Sequence, residues 1–338
     1  MTIPADATLA DIGEFGLITA LTDLFPQGEQ VLLGPGDDAA LVSVPDRRLV
    51  VSTDLHVETR HFRRDWAPAS DIGRRVAAAN LSDVGAMGGR ATALTVGLAA
   101  PRDLPVSWAL ELAAGIAEEC ALVGASVVGG DLTSADQVVV AVTAMGSVDG
   151  EPVLRSGARP GDVLALAGRQ GWAAGGLAVL ARGFRSPRVL VDAYRRPEPP
   201  YAAGPQAAAL GATAMIDVSD GLLADVGHLA AASGVAVDVH SDAFDIAEPL
   251  RAVGAALGAD PLRFILTGGD DHSLAATFPP DVALPEGWLR IGDVRGLPGE
   301  SGEPGEPGDL AAAGADGRRA LVTVDGAAYD GPAGHTHF

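Results

Sequence analysis

The sequence predicts an α/β protein of two domains, and three observations carry that expectation. Short runs rich in Val, Leu and Ala alternate with segments whose apolar residues recur at helical spacing. Hydrophobic residues make up 48% of the 338 and aromatic residues only 4%, so the core is built from Ala, Val, Leu and Ile. A Gly- and Pro-rich break at 149–162, "DGEPVLRSGARPGD", falls near the middle of the chain, where a length of ~150 residues per domain asks for a boundary. The domains are therefore expected at 1–150 and 151–338.

In order along the chain, 13–24 has helical spacing and "RLVVSTD" (48–54) is a β-branched run that reads as a strand. Residues 70–89 read as a helix with Ser70 as its N-cap, closed by Gly88 and Gly89. A strand is expected at 91–99, a helix at 106–124, and strands at 125–131 and 137–148. Beyond the break come a strand (163–168), a helix (172–183), and a loop at 197–206 leading into a short helix. The strand 214–220 runs into a helix at 221–234, and 263–278 reads as strand, Gly-Gly turn, strand. At 296–309, "GLPGESGEPGEPGD" has collagen-like glycine spacing but is far too short for a triple helix, so it is expected to be a disordered acidic surface loop.

Composition narrows the function. With 23 basic and 44 acidic residues the formal charge is −21, which excludes binding nucleic acid or an anionic membrane through bulk electrostatics. All the basic residues other than histidine are arginine, which rules out a Walker A loop and a lysine Schiff base. The single cysteine, Cys120, can form neither an internal disulfide nor a CxxC metal site, and is expected to be a buried, inert thiol. No segment is apolar over a membrane-spanning length, and the N-terminal residues lack a basic-then-apolar signal pattern. The expectation is a soluble cytoplasmic protein.

One pattern recurs: an apolar run with an Asp at or just past its end, beside Gly, Ser or Thr. The instances are Asp37 and Asp38 in "GPGDDAALV"; Ser52, Thr53 and Asp54; Asp131; Asp217, Ser219 and Asp220; and Asp270 and Asp271. Asp83 adds one from a helix, with Asn80 three residues before it on the same face. One such Asp reads as an N-cap. Five clusters beside an apolar core demand a positive partner. Carboxylates interspersed with hydroxyls are hard oxygen ligands, suited to Mg²⁺ or Ca²⁺ rather than zinc or iron. Glycines flank them (Gly34, Gly36, Gly129, Gly130, Gly268, Gly269), and a Mg²⁺ site beside Gly-rich turns points to nucleotide phosphates. The seven histidines show no HExxH zinc motif; His56 reads as loop or strand surface and His228 as a helix-face residue.

These motifs resemble those of thiamine-monophosphate kinases. The residues that carry the resemblance are "GEFGLI" (13–18), "GPGDDAAL", "STD" with His61 downstream, "NLSDVGAMG" (80–88), "GGDLT" (129–133), "RSGARPGD" (155–162), "DVSDGLLADVGHL" (217–229) and "LTGGDD" (266–271), with a weaker echo in the last residues, "GHTHF". The wider group of ATP-using enzymes includes aminoimidazole ribonucleotide synthetase, selenophosphate synthetase and a hydrogenase-maturation protein. The resemblance implies an N-terminal α/β domain whose sheet pairs with a second subunit, a C-terminal α/β domain, and ATP with several Mg²⁺ ions between them. It implies Asp38, Ser52, Thr53, Asp54, Asp83, Asp131, Asp217 and Asp220 as metal ligands. Gly130, Arg155 and Ser219 would contact ATP, and His61 and Asp270 the thiamine phosphate. The implied activity is ATP-dependent conversion of thiamine monophosphate to thiamine diphosphate.

Two segments depart from the family pattern. Gly-Gly-Glu-Asp-Tyr-Glu-Leu reads "GGDDHSL", so Asp270 replaces a Glu and His272 a Tyr. The aromatic residue before the terminal His-Phe has no clear counterpart: Pro332 falls near it and Tyr329 is the nearest aromatic. Other members of the group fit less well: there is no cysteine near the N-terminus or at the C-terminus, as selenophosphate synthesis or hydrogenase maturation would require. A non-catalytic metal- or nucleotide-binding module, supported by "GGDDHSL" alone, is the alternative of a different class.

Overall fold

A computed structural model describes residues 4, 6–34, 40–44, 48–297 and 321–335. The chain forms two compact units, Met1–Gly85 with Gly89–Asp149, and Ala86–Gly88 with Gly150–Phe338.

In the first unit the elements are α1 (Leu9–Thr22), β1 (Val31–Leu33), β2 (Leu41–Val42), β3 (Val50–Val57), α2 (Ala69–Ala86), β4 (Gly89–Ala100), α3 (Val106–Val123), β5 (Ser126–Ser134) and β6 (Val139–Val148). Helix α1 begins earlier than its spacing suggests, because the N–H and hydroxyl of Thr8 both donate to Asp11, at 2.9 and 2.7 Å. β1 and β2 form a small antiparallel pair. The main sheet has the order β3-β6-β4-β5. β4 and β5 are parallel, with α3 as their crossover, and the other pairs are antiparallel.

One face of this sheet is buried at Leu94, Val140, Val142 and Ala144. The other is open: on β3, Val51 is 54% and Leu55 59% exposed. Helices α2 and α3 meet almost backbone to backbone. A Cβ on Gly73 would stand 2.0 Å from the Leu112 carbonyl oxygen, and one on Gly115 would stand 2.0 Å from that of Ser70. Cys120 lies buried on α3, and burial, reinforced by the neighbouring Glu119 charge, pushes its thiol up to about 12. A thiol held there is neutral and inert, as expected from sequence.

The second unit contains β7 (Val163–Ala167), α4 (Trp172–Ala181), α5 (Arg188–Arg195), α6 (Ala203–Ala209), β8 (Ala214–Val218), α7 (Leu222–Ser233), β9 (Ala236–Val239), α8 (Glu248–Leu257), α9 (Leu262–Thr267), β10 (Ser273–Phe278), β11 (Trp288–Arg295), β12 (Val322–Val324) and β13 (Ala327–Ala328). Its sheet runs β13-β12-β9-β11-β7-β10-β8, antiparallel except for β12 beside β9. The central strands are buried on both faces. Leu164, Ile216, Ala275 and Ile291 join α7 in one core; Val163, Met215, Leu274 and Phe278 join α6 in another.

The α/β class stands, and several local expectations change. Residues 262–267 form α9, not a strand. A short apolar run such as "FIL" does not distinguish the two states, and here Ile265 and Leu266 are buried with α9 packed on α4 and α7. Ser70 lies inside α2 rather than capping it, since the helix opens after Pro68. β3 runs past Asp54 to Val57. The acidic segment expected to be a loop falls outside the described residues from 298 onward.

Gly73→Ala is expected to destabilise the protein by about 1–3 kcal/mol, because the new methyl would meet backbone rather than a movable side chain. Thermal denaturation followed by circular dichroism checks this; an unchanged melting temperature would mean that α2 and α3 part without cost.

Candidate active site

In the first unit, strand alternation sorts the candidate residues. Asp54 and Asp131 lie within strands, not at their ends as the sequence suggested. Ser52, Asp54 and His56 share the covered face of β3. There the Ser52 hydroxyl donates to Asp83 Oδ2 of α2 at 2.6 Å, and the Asp54 N–H donates to Asn80 Oδ1 at 3.1 Å. Asn80 is fully buried, and its Nδ2 donates to the Val76 carbonyl at 2.9 Å. The i, i+3 pair Asn80 and Asp83 therefore clamps α2 to the strand that carries Asp54. His56 is buried beside it, contrary to the surface position expected.

Thr53 points the other way, to the open face, where its hydroxyl lies 2.8 Å from that of Thr143. Asp131 shares that face: it is in register with Gly97, Gly97 with Ala141, and Ala141 with Leu55. The structure thus brings together Ser52, Asp54 and Asp83 and sets Thr53 and Asp131 on the opposite side of the sheet. Asp38, like Asp37, falls outside the described residues. A Cβ on Gly130 would stand 1.9 Å from the Val96 carbonyl oxygen, so this position requires glycine for the close approach of β5 to β4.

Beyond β3, Val57 donates its N–H to His61 Nδ1 at 2.9 Å, which leaves Nε2 as the protonated nitrogen of the neutral ring. The His56 and His61 rings meet edge to face at 6.0 Å.

In the second unit the site is built where β8 passes into α7. Asp217 is buried, with Oδ2 3.4 Å from His272 Nδ1. Residues 219–221 wrap around one side chain that the sequence does not single out, Asp225. Its Oδ2 accepts the N–H groups of Ser219, Asp220 and Gly221, each at 3.0 Å. Burial pushes the Asp225 carboxyl up to about 7, aided by the charges of Asp217 and Asp220 and opposed by the N–H donors.

The 268–272 turn lies against this loop. The Asp270 N–H donates to the Ser219 carbonyl at 2.9 Å, and a Cβ on Gly269 would stand 1.9 Å from that oxygen. The turn is held from behind by Gln170, whose amide donates to the Ile265 and Gly268 carbonyls and accepts from Ser273. It is also held by Asp271, whose Oδ1 accepts the Ala173 N–H in the first turn of α4 at 3.0 Å.

Asp270 and His272 both have left-handed backbone, φ 67° and 53°. Asp and His are among the non-glycine residues that tolerate this region, so these two departures from the family pattern suit the backbone that carries them. The tail reaches the same loop, with the His335 N–H donating to the Asp220 carbonyl at 2.9 Å. Tyr329 packs against the core of this unit. Arg155 is exposed, and its carbonyl accepts the Ser233 hydroxyl from the far end of α7.

Among the described residues, no three His, Cys, Asp or Glu side chains close into a metal cage. The candidate donors are oxygen-only, from Asp, Ser and Thr. That set fits Mg²⁺, which keeps waters and takes phosphate oxygens of its substrate as ligands, better than a resident metal.

Models of the AIR synthase related protein N-terminal and C-terminal domains match residues 36–148 and 159–282, and these define the class. The thiamine-monophosphate kinase of Mycobacterium tuberculosis is 50% identical over 289 residues, covering 85% of this chain and 86% of that protein. The crystal structure of thiamine-monophosphate kinase from Stenotrophomonas maltophilia K279a superposes with TM-score 0.77 at 32% identity, covering 94% of this chain and 98% of that one. A structure of AaThiL complexed with AMPPCP and TMP superposes with TM-score 0.74 at 29% identity, over 98% and 99% of the two chains. The chain belongs to the thiamine-monophosphate kinase family.

Burial pushes the Asp271 carboxyl up from 3.8 to about 7. Between those values the folded protein holds a proton that the unfolded chain has lost, so this group's contribution to stability falls as pH rises. Asp271→Asn is therefore expected to gain melting temperature relative to wild type as pH is raised from about 4 to about 7. Parallel pH profiles of the two proteins would overturn the assignment.

Proposed function

We propose that this protein phosphorylates thiamine monophosphate with ATP, giving thiamine diphosphate and ADP. The observation that carries the reading is the extent of the kinship, half of all residues identical over most of the chain to a thiamine-monophosphate kinase. The relative complexed with AMPPCP and TMP supports the same pair of substrates.

A terminal phosphate oxygen of thiamine monophosphate attacks the γ-phosphorus of ATP in line, and the bond from that phosphorus to the β-phosphate oxygen breaks as the new one forms. The acceptor is already an anionic oxygen, so no strong general base is needed. The barrier is chiefly repulsion between two anions. Mg²⁺ bound with the nucleotide supplies the charge that offsets this repulsion. Several Mg²⁺ ions would be held by Ser52, Asp54 and Asp83 on the covered face of the first sheet, by Thr53 and Asp131 on the open face, by Asp38, and by Asp217 and Asp220 in the second unit. Gly130, Arg155 and the Ser219 hydroxyl hold ATP, and His61 and Asp270 hold the thiamine phosphate.

In this reading the first domain, to residue 150, binds the nucleotide and pairs with a second copy, and the second domain completes the site. The open face of the β3-β6-β4-β5 sheet, with Val51 and Leu55 exposed, supports a homodimer joined there. No helix among the described residues is long and apolar enough to cross a membrane. Dependence on ATP is consistent with a cytoplasmic enzyme.

Chromatography of purified protein with ATP, Mg²⁺ and thiamine monophosphate is expected to yield thiamine diphosphate, with none when Mg²⁺ is removed by chelation or when free thiamine replaces the monophosphate. Nucleotide binding without product would favour the non-catalytic alternative. Asp83→Asn and Asp131→Asn are each expected to lower the rate by about two orders of magnitude or more while leaving the circular dichroism spectrum unchanged. Full activity in either variant removes that residue from the ligand set.

A further inference from the structure

Every backbone polar group from the Ser219 nitrogen to the Gly221 oxygen has a partner within the protein. The three N–H groups go to Asp225 Oδ2. The Ser219 carbonyl accepts from Asp270, the Asp220 carbonyl from His335, and the Gly221 carbonyl from the Asp225 N–H at 2.9 Å. Three successive N–H groups converging at the start of a helix form the kind of backbone nest that elsewhere receives a phosphate. Here an internal carboxylate already fills it.

We propose that Asp225 is a positioning residue: it occupies the nest at the start of α7, so that this loop meets the nucleotide and its metal through the Ser219 hydroxyl and the Asp220 carboxylate and not through its backbone. The inference rests on the kinase reading. The same contacts extend its effect to the acceptor side. The Ser219 carbonyl can receive the Asp270 N–H only while its own peptide is turned toward Asp225, and the Asp220 carbonyl holds the tail on the same condition. The close approaches leave little room for another arrangement: a Cβ on Gly221 would stand 2.7 Å from the Thr267 oxygen, and one on Gly334 would stand 2.6 Å from the Asp220 oxygen. Loss of the acceptor at position 225 would loosen the donor loop and the acceptor turn together.

The test compares Asp225→Ala and Asp225→Asn with wild type, each assayed well below its melting temperature. Thr213→Val is the control for simple destabilisation, since it deletes the hydroxyl bonds to Asp162 and Thr277 at the start of β8. Asp225→Ala is expected to raise KM for both ATP and thiamine monophosphate, and the Mg²⁺ concentration at half-maximal rate, by about tenfold or more, as loss of charge-assisted hydrogen bonds allows. Asp225→Asn keeps an oxygen acceptor and is expected within about threefold of wild type, and Thr213→Val should lose stability with its KM values unchanged. Amide exchange of ligand-free wild type should show Ser219, Asp220 and Gly221 protected, a readout that needs no variant to fold and no kinase activity. A folded Asp225→Ala with all three constants within twofold of wild type, or unprotected amides, overturns the proposal. Absence of thiamine diphosphate from wild type overturns the kinase reading instead.

Discussion

A carboxylate at the edge of an apolar core must be met by donors, and in this protein that requirement organises the candidate residues of each unit. The chain carries a formal charge of −21, so its acids cannot rely on a surplus of cations. Around the candidate residues the structure answers with hydroxyls and backbone N–H groups. Ser52 meets Asp83, three successive amides meet Asp225, and the first turn of α4 meets Asp271. Each contact is a structural restraint as well as an electrostatic one, because the donor lies on a different element, or a different turn, from the acid it serves.

The two units use this device differently. In the first, a helix is pinned to a strand: the glycine crossing of α2 on α3 sets the helix in place, and Asn80 and Asp83 join it to β3. In the second, a loop is wound around a single oxygen, and the 268–272 turn and the tail are hung on the carbonyls that this winding presents. An acidic protein that handles two anionic substrates needs cations to reverse its local field, and acids held in defined geometry are what would bind them. The residues that depart from the family pattern, Asp270 and His272, sit on left-handed backbone that favours those residue types. Both residue types thus agree with their local conformation.

Much of the local structure was legible in the sequence. The α2 and α3 helices, the β4 and β6 strands, and the β8–α7 junction follow from spacing and punctuation. Where the reading failed, the signal was short or non-local. The run at 262–267 is too brief to separate helix from strand, and its burial against α4 and α7 decided it. α5, α8, β9 and β11 passed unread, as did the Thr8–Asp11 box that starts α1. A strand ending at Asp54 leaves His56 at the surface, whereas the continuation of β3 to Val57 buries it.

The sequence by itself determined the class of fold, the chemistry of the donors and the family, because composition, motif order and residue type are local properties of the chain. It named Asp54, Asp83, Asp131, Asp217 and Asp220 as candidates from their neighbours alone. Only the tertiary structure decided which of them share a face. Side-chain direction alternates along a strand, so Ser52 and Asp54 part from Thr53, and register across β3, β6, β4 and β5 places Asp131 with Thr53. Only the tertiary structure, too, revealed Asp225 and Asp271 as the acids that hold the loops. Their partners lie on other turns or far along the chain, and a carboxylate's role is set by the donors that folding brings to it.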